Sequence, residues 1–267
     1  DAPMTMKDTQ MHAPDSLRVD LEIAVQDAAG ARIAAELGAD RIEVCGALGI
    51  TGGLTPSAAA LEQLLDVGIP THVLIRPRPG GFVYGPEEVA LMEREVDLCL
   101  RAGAAGVVIG ALNRDNTVDA ETTARLIARA AQTAAELGTG CEITFHRALD
   151  VTPDPVAALR TLGKLGVTRV LTSGGAPRSI DGLEVLRQLC AAGTGVQVMA
   201  GGGVRTQDMG ALAAAGVHGV HLSAKALKPD PGPVGPGGGT PGELEVTSPQ
   251  LVAQAVQRVQ ELREQAR

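Results

Sequence analysis

From Arg18 onward the chain switches repeatedly between short β-branched runs and longer stretches in which apolar residues recur at helical spacing. The short runs predict strands over 19–25, 41–45, 71–76, 106–110, 141–146, 169–173, 196–200 and 217–223. The longer stretches predict helices over 27–37, 57–66, 86–102, 119–137, 153–165, 181–192, 206–215 and 249–265. Strictly alternating βα units imply a parallel sheet, and eight of them imply closure into a single (β/α)8 barrel, an α/β fold whose chemistry sits at the C-terminal ends of its strands. Gly38, Gly103, Gly166 and Gly216 each follow a predicted helix, where the left-handed conformation that ends a helix suits glycine. An open doubly wound sheet is disfavoured, because no G-x-G-x-x-G follows the first strand.

Alternation within the strands sorts side chains between the helix layer and the barrel axis. With Leu21, Ile23, Val25, Ile42, Val44, Val73, Ile75, Ile143, Phe145, Val220 and Leu222 facing the helices, one parity rule sends Glu22, Ala24, Glu43, Cys45, Arg76, His146 and His221 inward. Arg41, His72 and Glu142 fall near the opposite end and read as structural. Charge inside a barrel is costly unless it is paired. The inward set is therefore either a functional site or an ion-pair plug, for example Arg76 held between Glu22 and Glu43.

The loops after the strands add further polar groups. Arg76 and Arg78 stand in a Pro/Gly-rich turn that runs on to Tyr84, and Arg147 and Asp150 follow His146. Ser173, Gly174 and Gly175 follow strand 6, and Gly201, Gly202 and Gly203 follow strand 7. Glycines there allow backbone amides to approach an anion, or they make tight turns. A Pro/Gly-rich stretch over 226–248 predicts a long mobile loop leaving the same face, either a lid or a tolerated insertion.

Composition narrows the partners. The chain has 267 residues, enough for one barrel (17–267), and 45% are hydrophobic but only 1% aromatic, so Val, Ile, Leu and Ala must fill the interior. A net charge of −8 without a basic block argues against nucleic acid. No apolar run is long enough to span a membrane, and no signal-peptide core opens the chain, so a cytoplasmic location is expected. Cys45, Cys99, Cys141 and Cys190 stand too far apart for a C-x-x-C metal knuckle. Residues 1–16 are polar and aperiodic and read as a disordered arm.

Several segments together resemble the CutC family, described as copper-homeostasis proteins. They are Ala39-Asp40-Arg41-Ile42-Glu43-Val44-Cys45, Gly52-Gly53-Leu54-Thr55-Pro56-Ser57, Ile75-Arg76-Pro77-Arg78, Thr144-Phe145-His146-Arg147-Ala148, Arg169 to Gly175 and Met199 to Arg205, within a match over about 19–226. The resemblance implies a TIM barrel, a cytoplasmic homodimer or higher homo-oligomer, and a role in Cu(I) binding or trafficking. Many relatives carry a strand-1 cysteine where this chain has Ala24, so the thiolate pair that suits Cu(I) is reduced here to Cys45.

Two functions follow as expectations. In the first, copper homeostasis, Cys45 with His221 or His146 binds Cu(I). In the second, an enzyme acts on a small anionic or phosphorylated metabolite. Glu22 or Glu43 is then the general base, His146 the acid or electrophile, and Asp150 orients Arg147. Arg76, Arg78, Arg147 and the backbones of Ser173–Gly175 and Gly201–Gly203 hold the anion. A barrel without catalysis, acting through oligomeric contacts, is the third reading.

Overall fold

A computed structural model describes residues 19–233 and 242–267; the expected arm over 1–16 lies outside them. Eight strands close into one parallel barrel in sequence order. They are β1 (Asp20–Val25), β2 (Arg41–Val44), β3 (Thr71–Leu74), β4 (Gly106–Ile109), β5 (Glu142–Phe145), β6 (Arg169–Thr172), β7 (Gln197–Gly201) and β8 (Gly219–Leu222). The (β/α)8 reading of the sequence is therefore correct. The surrounding helices are α1 (Ala28–Leu37), α2 (Leu48–Thr51), α3 (Ala58–Leu65), α4 (Pro86–Ala102), α5 (Ala120–Leu137), α6 (Pro155–Leu165), α7 (Leu183–Cys190), α8 (Met209–Ala214) and α9 (Pro249–Gln265).

Local chemistry sets the helix starts. Asp27, Ser57, Asp119, Asp154 and Ser248 each accept an amide of the first turn, and Pro86, Pro155 and Pro249 open their helices, where a missing N–H costs nothing. Gly38, Gly103 and Gly166 take φ between 93° and 113° at the helix ends, as their junction positions require.

The parity rule holds. Leu21, Ile23, Ile42, Val44, Val73, Ile75, Ile143, Phe145 and Val220 belong to the large core shared with the helices. Inside the barrel, Cys45, Leu74 and Val108 form a separate small apolar cluster. Below it, inward charges pair with one another. Arg41 donates to Glu22 Oε2 at 2.6 Å and to Glu142 Oε2 at 2.6 Å, His72 Nε2 lies 3.4 Å from Glu142, and Arg169 meets Asp20 at 2.8 Å. An ion-pair plug exists, but its cation is Arg41, not Arg76.

Four segments differ from expectation. The predicted helices over 181–192 and 206–215 begin as 3-10 turns, Ser179–Gly182 and Thr206–Asp208, before becoming α-helical. The one-turn α2 was not foreseen; it lies between Gly46 and Leu54, which bridge to each other, and it is too short to show a period. The stretch over 226–248 is not simply a loop. Its flanks form an antiparallel ribbon of β9 (Lys225–Pro229) and β10 (Glu243–Thr247), with Lys225 opposite Thr247. The prolines and glycines hid this pairing because they crowd the middle of the segment, whereas the flanks carry strand-forming Leu227, Leu244 and Val246.

Candidate functional site

A cavity of about 830 Å³ opens at the C-terminal end of the barrel. Its floor is Ala24, Glu43, Leu74 and His221; its walls include Arg76, Phe82, His146, Arg147, Gly202, Gly203 and Arg205; residues of β9 and β10 border it. The strands end one or two residues before the key side chains. β3 stops at Leu74 before Arg76, and β5 stops at Phe145 before His146. These residues are thus held by the ladder yet released into the mouth.

At the floor, Glu22, Glu43 and His221 offer ligand atoms within 4.8 Å of one another. The register explains the meeting, since Glu22 stands beside His221 across β1–β8 and Ala24 beside Glu43 across β1–β2. Glu22 is fully buried, and both its oxygens are engaged: Oε2 by Arg41 and Oε1 by His221 Nδ1 at 2.7 Å. Against the cost of burial, the bond from His221 and the charge of Arg41 hold Glu22 well below the usual carboxylate range. His221 is correspondingly raised by Glu22 and Glu43, against its own burial. Glu43 is different. It is 5% exposed, its Oε2 has no partner, and burial lifts it to about 7, with Glu22 adding to the rise and His221 and Arg41 opposing it.

His146 has a defined tautomer. Its Nδ1 accepts the Ala148 amide at 3.1 Å, so the neutral ring carries its proton on Nε2, which has no protein partner. Burial, then the neighbouring Arg76, push it down to about 3, so the ring is neutral at physiological pH. Phe82 packs on it at 4.9 Å between centroids. Gly110 makes room for it: a Cβ there would lie 2.2 Å from His146 Cε1 and 2.5 Å from Nδ1. Gly110→Ala is therefore expected to cost about 1–3 kcal/mol and to turn the imidazole out of its seat. Imidazole nitrogen NMR reads the change, and an unaltered His146 spectrum would refute the seating argument.

Arg76 is 8% exposed and meets no carboxylate. Its Nη1 donates to the Thr51 and Gly53 carbonyls at 2.8 and 2.9 Å, its Nη2 to Gly80 at 2.7 Å, and its Nε is unpartnered. The guanidinium lies 5.4 Å from the Phe82 centroid. Arg147 also faces the cavity, but Asp150 takes its Nε at 2.7 Å.

Asp150 fills the β6 loop. Its carboxylate accepts from Thr172 Oγ1 at 2.5 Å, from the amide and hydroxyl of Ser173 at 3.0 Å each, and from the Gly175 amide at 3.3 Å. The Gly174 amide goes to Thr172 Oγ1. The donors expected to serve a ligand at Ser173, Gly174 and Gly175 are thus spent inside the protein, on the Asp150 carboxylate and the Thr172 hydroxyl. Arg78 is likewise tied to Glu88 at 2.5 Å and to the carbonyls of its own loop, and it does not line the cavity. In the β7 loop Gly202 and Gly203 do line it, with φ of 111° and 59°, while Gly201 ends the strand.

Cys45 is covered more completely than its sequence position suggested. It is 0% exposed, packed with Leu74, Val108 and Leu48, and burial raises its thiol far above the ordinary range. Among the described residues the one three-ligand cluster excludes it, and Ala24 supplies no sulfur on the neighbouring strand. These groups do not fit a Cu(I) site, which wants two or more soft donors. The Glu22, Glu43 and His221 oxygen and nitrogen atoms are harder, and they read as an acid–base set in which Glu22 and His221 are hydrogen-bonded to each other. Arg205 was missed by the sequence reading. It lines the cavity, and its guanidinium makes no hydrogen bond or ion pair among the described residues.

A closed (β/α)8 barrel with acidic, imidazole and guanidinium groups at its C-terminal mouth is the class this architecture defines. Within it, the CutC family profile matches residues 19–226, and the chain belongs to the CutC family. It is 40% identical to a family protein CutC of Histophilus somni over 213 residues, 79% of this chain and 84% of that protein. It is 42% identical to one from Agrobacterium fabrum over 193 residues, 72% of this chain and 73% of that protein. A solved structure described as a copper homeostasis protein CutC from Streptococcus agalactiae superposes with a TM-score of 0.70 at 26% identity, covering 77% of this chain and 98% of that one. A phosphonomutase from Burkholderia cenocepacia, at 20% identity and a TM-score of 0.59 over 77% of this chain and 88% of that one, shares the fold alone. No helix among the described residues is long and apolar enough to cross a membrane.

Proposed function

We propose that the barrel mouth is the active site of an enzyme acting on a small anionic metabolite by proton transfer. One observation carries this reading: Arg76, a buried cation without a carboxylate partner, shares a cavity with Glu43, a buried carboxyl whose Oε2 has no partner. A buried charge left uncompensated is expensive, and a bound anion would compensate Arg76. A carboxyl near 7 is poised to give and take a proton at physiological pH.

The division of labour follows from the contacts. Arg76 holds the anion. Glu43 is the general base. His146, neutral and with Nε2–H free, donates to the oxygen on which charge develops, and acts as an electrophile rather than a proton carrier. The His221–Glu22 pair braces the floor beside Glu43, and Asp150 orients Arg147 at the rim. Isomerase, aldolase or hydrolase chemistry is compatible with this set. The Streptococcus relative is named for copper homeostasis; in this chain a Cu(I) role rests on the single buried Cys45, and the enzyme reading has the stronger support. The cytoplasmic, homo-oligomeric setting implied by the family goes with the proposal.

Thermal unfolding with added inorganic phosphate or acetate tests it. At a concentration a hundred times Kd a ligand adds about 2.7 kcal/mol, a rise of roughly 5–10 °C for a chain this size. The wild type is expected to rise and Arg76→Met to stay flat. No rise with either anion, or an equal rise in Arg76→Met, would reject the reading.

A further inference from the structure

The charges around the cavity do not cancel, and where they fail to cancel is informative. Beneath the floor, Glu22 is matched by Arg41 and His221, and Glu142, toward the other end of the barrel, by Arg41. At the rim, Arg147 is matched by Asp150, and Lys225 by Glu245 at 3.1 Å. Two cations of the lining have no carboxylate: Arg76 and Arg205.

These two stand on opposite sides. Arg76 follows β3 and Arg205 follows β7, four strands apart in a closed ring of eight. Glu43 and His221, from β2 and β8, occupy the floor between them, and His146 comes from β5. The two cations also differ in character. Arg76 is fixed by three backbone carbonyls, which occupy three of its five N–H groups, and its Nε has no partner. Arg205 is exposed and unbound, free to close on a ligand. It is joined on its side by the amides of Gly203, Val204 and Arg205 itself, which donate to no protein acceptor among the described residues.

We infer that the substrate is a small dianion with an anionic group at each end, spanning the mouth from Arg76 to Arg205, so that its central carbon lies over Glu43 and an oxygen on or beside that carbon meets His146 Nε2–H. Dicarboxylates and phospho-carboxylates share this chemistry. A substrate with one charged end would leave one of the two cations without a counter-charge. The cavity, about 830 Å³, has room for such a molecule. This inference rests on the proposal that the mouth binds an anion at Arg76, and it adds the second anchor.

The test compares matched probes at constant ionic strength: acetate and pyruvate as monoanions, succinate and 2-oxoglutarate as dicarboxylates, and phosphoglycolate as a phospho-carboxylate. Binding to the full chain is read by calorimetry. At least one of the two dianion classes is expected to bind tenfold or more tighter than the monoanions, and the class that does so identifies the second group. Arg205→Ala changes an exposed side chain and is expected to fold normally. It should bring the dianions to the monoanion level while leaving monoanion binding unchanged. If monoanions bind through Arg76 but dianions bind no tighter, or if Arg205→Ala leaves the preference intact, the two-ended substrate is wrong and the proposed anion site survives. If no probe binds, both are wrong.

Discussion

Glu43→Gln is expected to make the protein more stable at pH 8, to leave it unchanged at pH 5, and to slow the proposed proton transfer. Glu43 titrates near 7 in the folded chain against 4.5 ordinarily, chiefly because it is buried. The folded protein therefore holds this proton more tightly than the unfolded chain does. Its contribution to stability is full below 4.5 and declines as the pH rises through 7; above that, the fold carries an unpaired buried carboxylate. Glutamine has nearly the same shape and no charge. The gain at pH 8 is on the order of 3 kcal/mol, or roughly 6–12 °C in Tm, and near zero at pH 5. The opposite cost is catalytic: Glu43 is the proposed general base, and losing a general base costs about 10²–10⁴ in rate. Binding gives a readout that needs no known reaction. An anion on Arg76 shares the cavity with Glu43, so wild-type affinity should fall as the pH rises through 7, and Glu43→Gln should flatten that dependence. An equal Tm difference at pH 5 and pH 8 would show that Glu43 does not titrate as the burial implies.

The barrel was legible because two periods alternate eight times and because the parity of each strand names its inward face. Parity gives the side of a residue but not its cover. Cys45 and Glu43 share one face of one strand, yet Leu74, Val108 and Leu48 close over the thiol while the carboxyl reaches the cavity floor. That cover comes from side chains of other elements, which no single strand encodes. Arg76 was placed correctly at the mouth, but its partners were not foreseen, because they are carbonyls of neighbouring loops. Backbone acceptors leave no mark on a sequence.

The glycine loops teach the same limit. Ser173–Gly175 and Gly201–Gly203 look alike in the chain, and both follow a strand. Asp150, arriving from the β5 loop, takes the Ser173 and Gly175 amides of the first and none of the second. A signal for Arg205 was present, since it sits after the β7 glycines much as Arg147 sits after β5. It was overlooked because it lies two residues past the last glycine, where the next helix was expected to begin.

Arg41→Met is expected to be among the most damaging single changes in the barrel. Arg41 is buried at 4% exposure and joins Glu22 to Glu142 by two 2.6 Å contacts. Its removal leaves Glu22, fully buried, with His221 as its remaining hydrogen-bond partner. Breaking a buried pair in this way costs about 3–5 kcal/mol, a large part of the roughly 5–15 kcal/mol that holds such a domain together. For a chain of this size that is a fall of roughly 6–20 °C in Tm. The loss should depend on pH in a defined direction. His221 and Arg41 together hold Glu22 well below the ordinary range, and His72 and Arg41 hold Glu142 down to about 2, so both support the fold above 4.5 and lose that support as the pH falls toward their folded values. Without Arg41 both carboxyls protonate more easily, and the difference between wild type and variant should narrow from pH 7 to pH 3. The double variant Arg41→Met/Glu22→Gln removes the stranded charge and should recover part of the loss. If the penalty is the same at both pH values and the double variant recovers nothing, Arg41 acts through its packing alone, and the inner charges of this barrel are not the coupled chain that their distances describe.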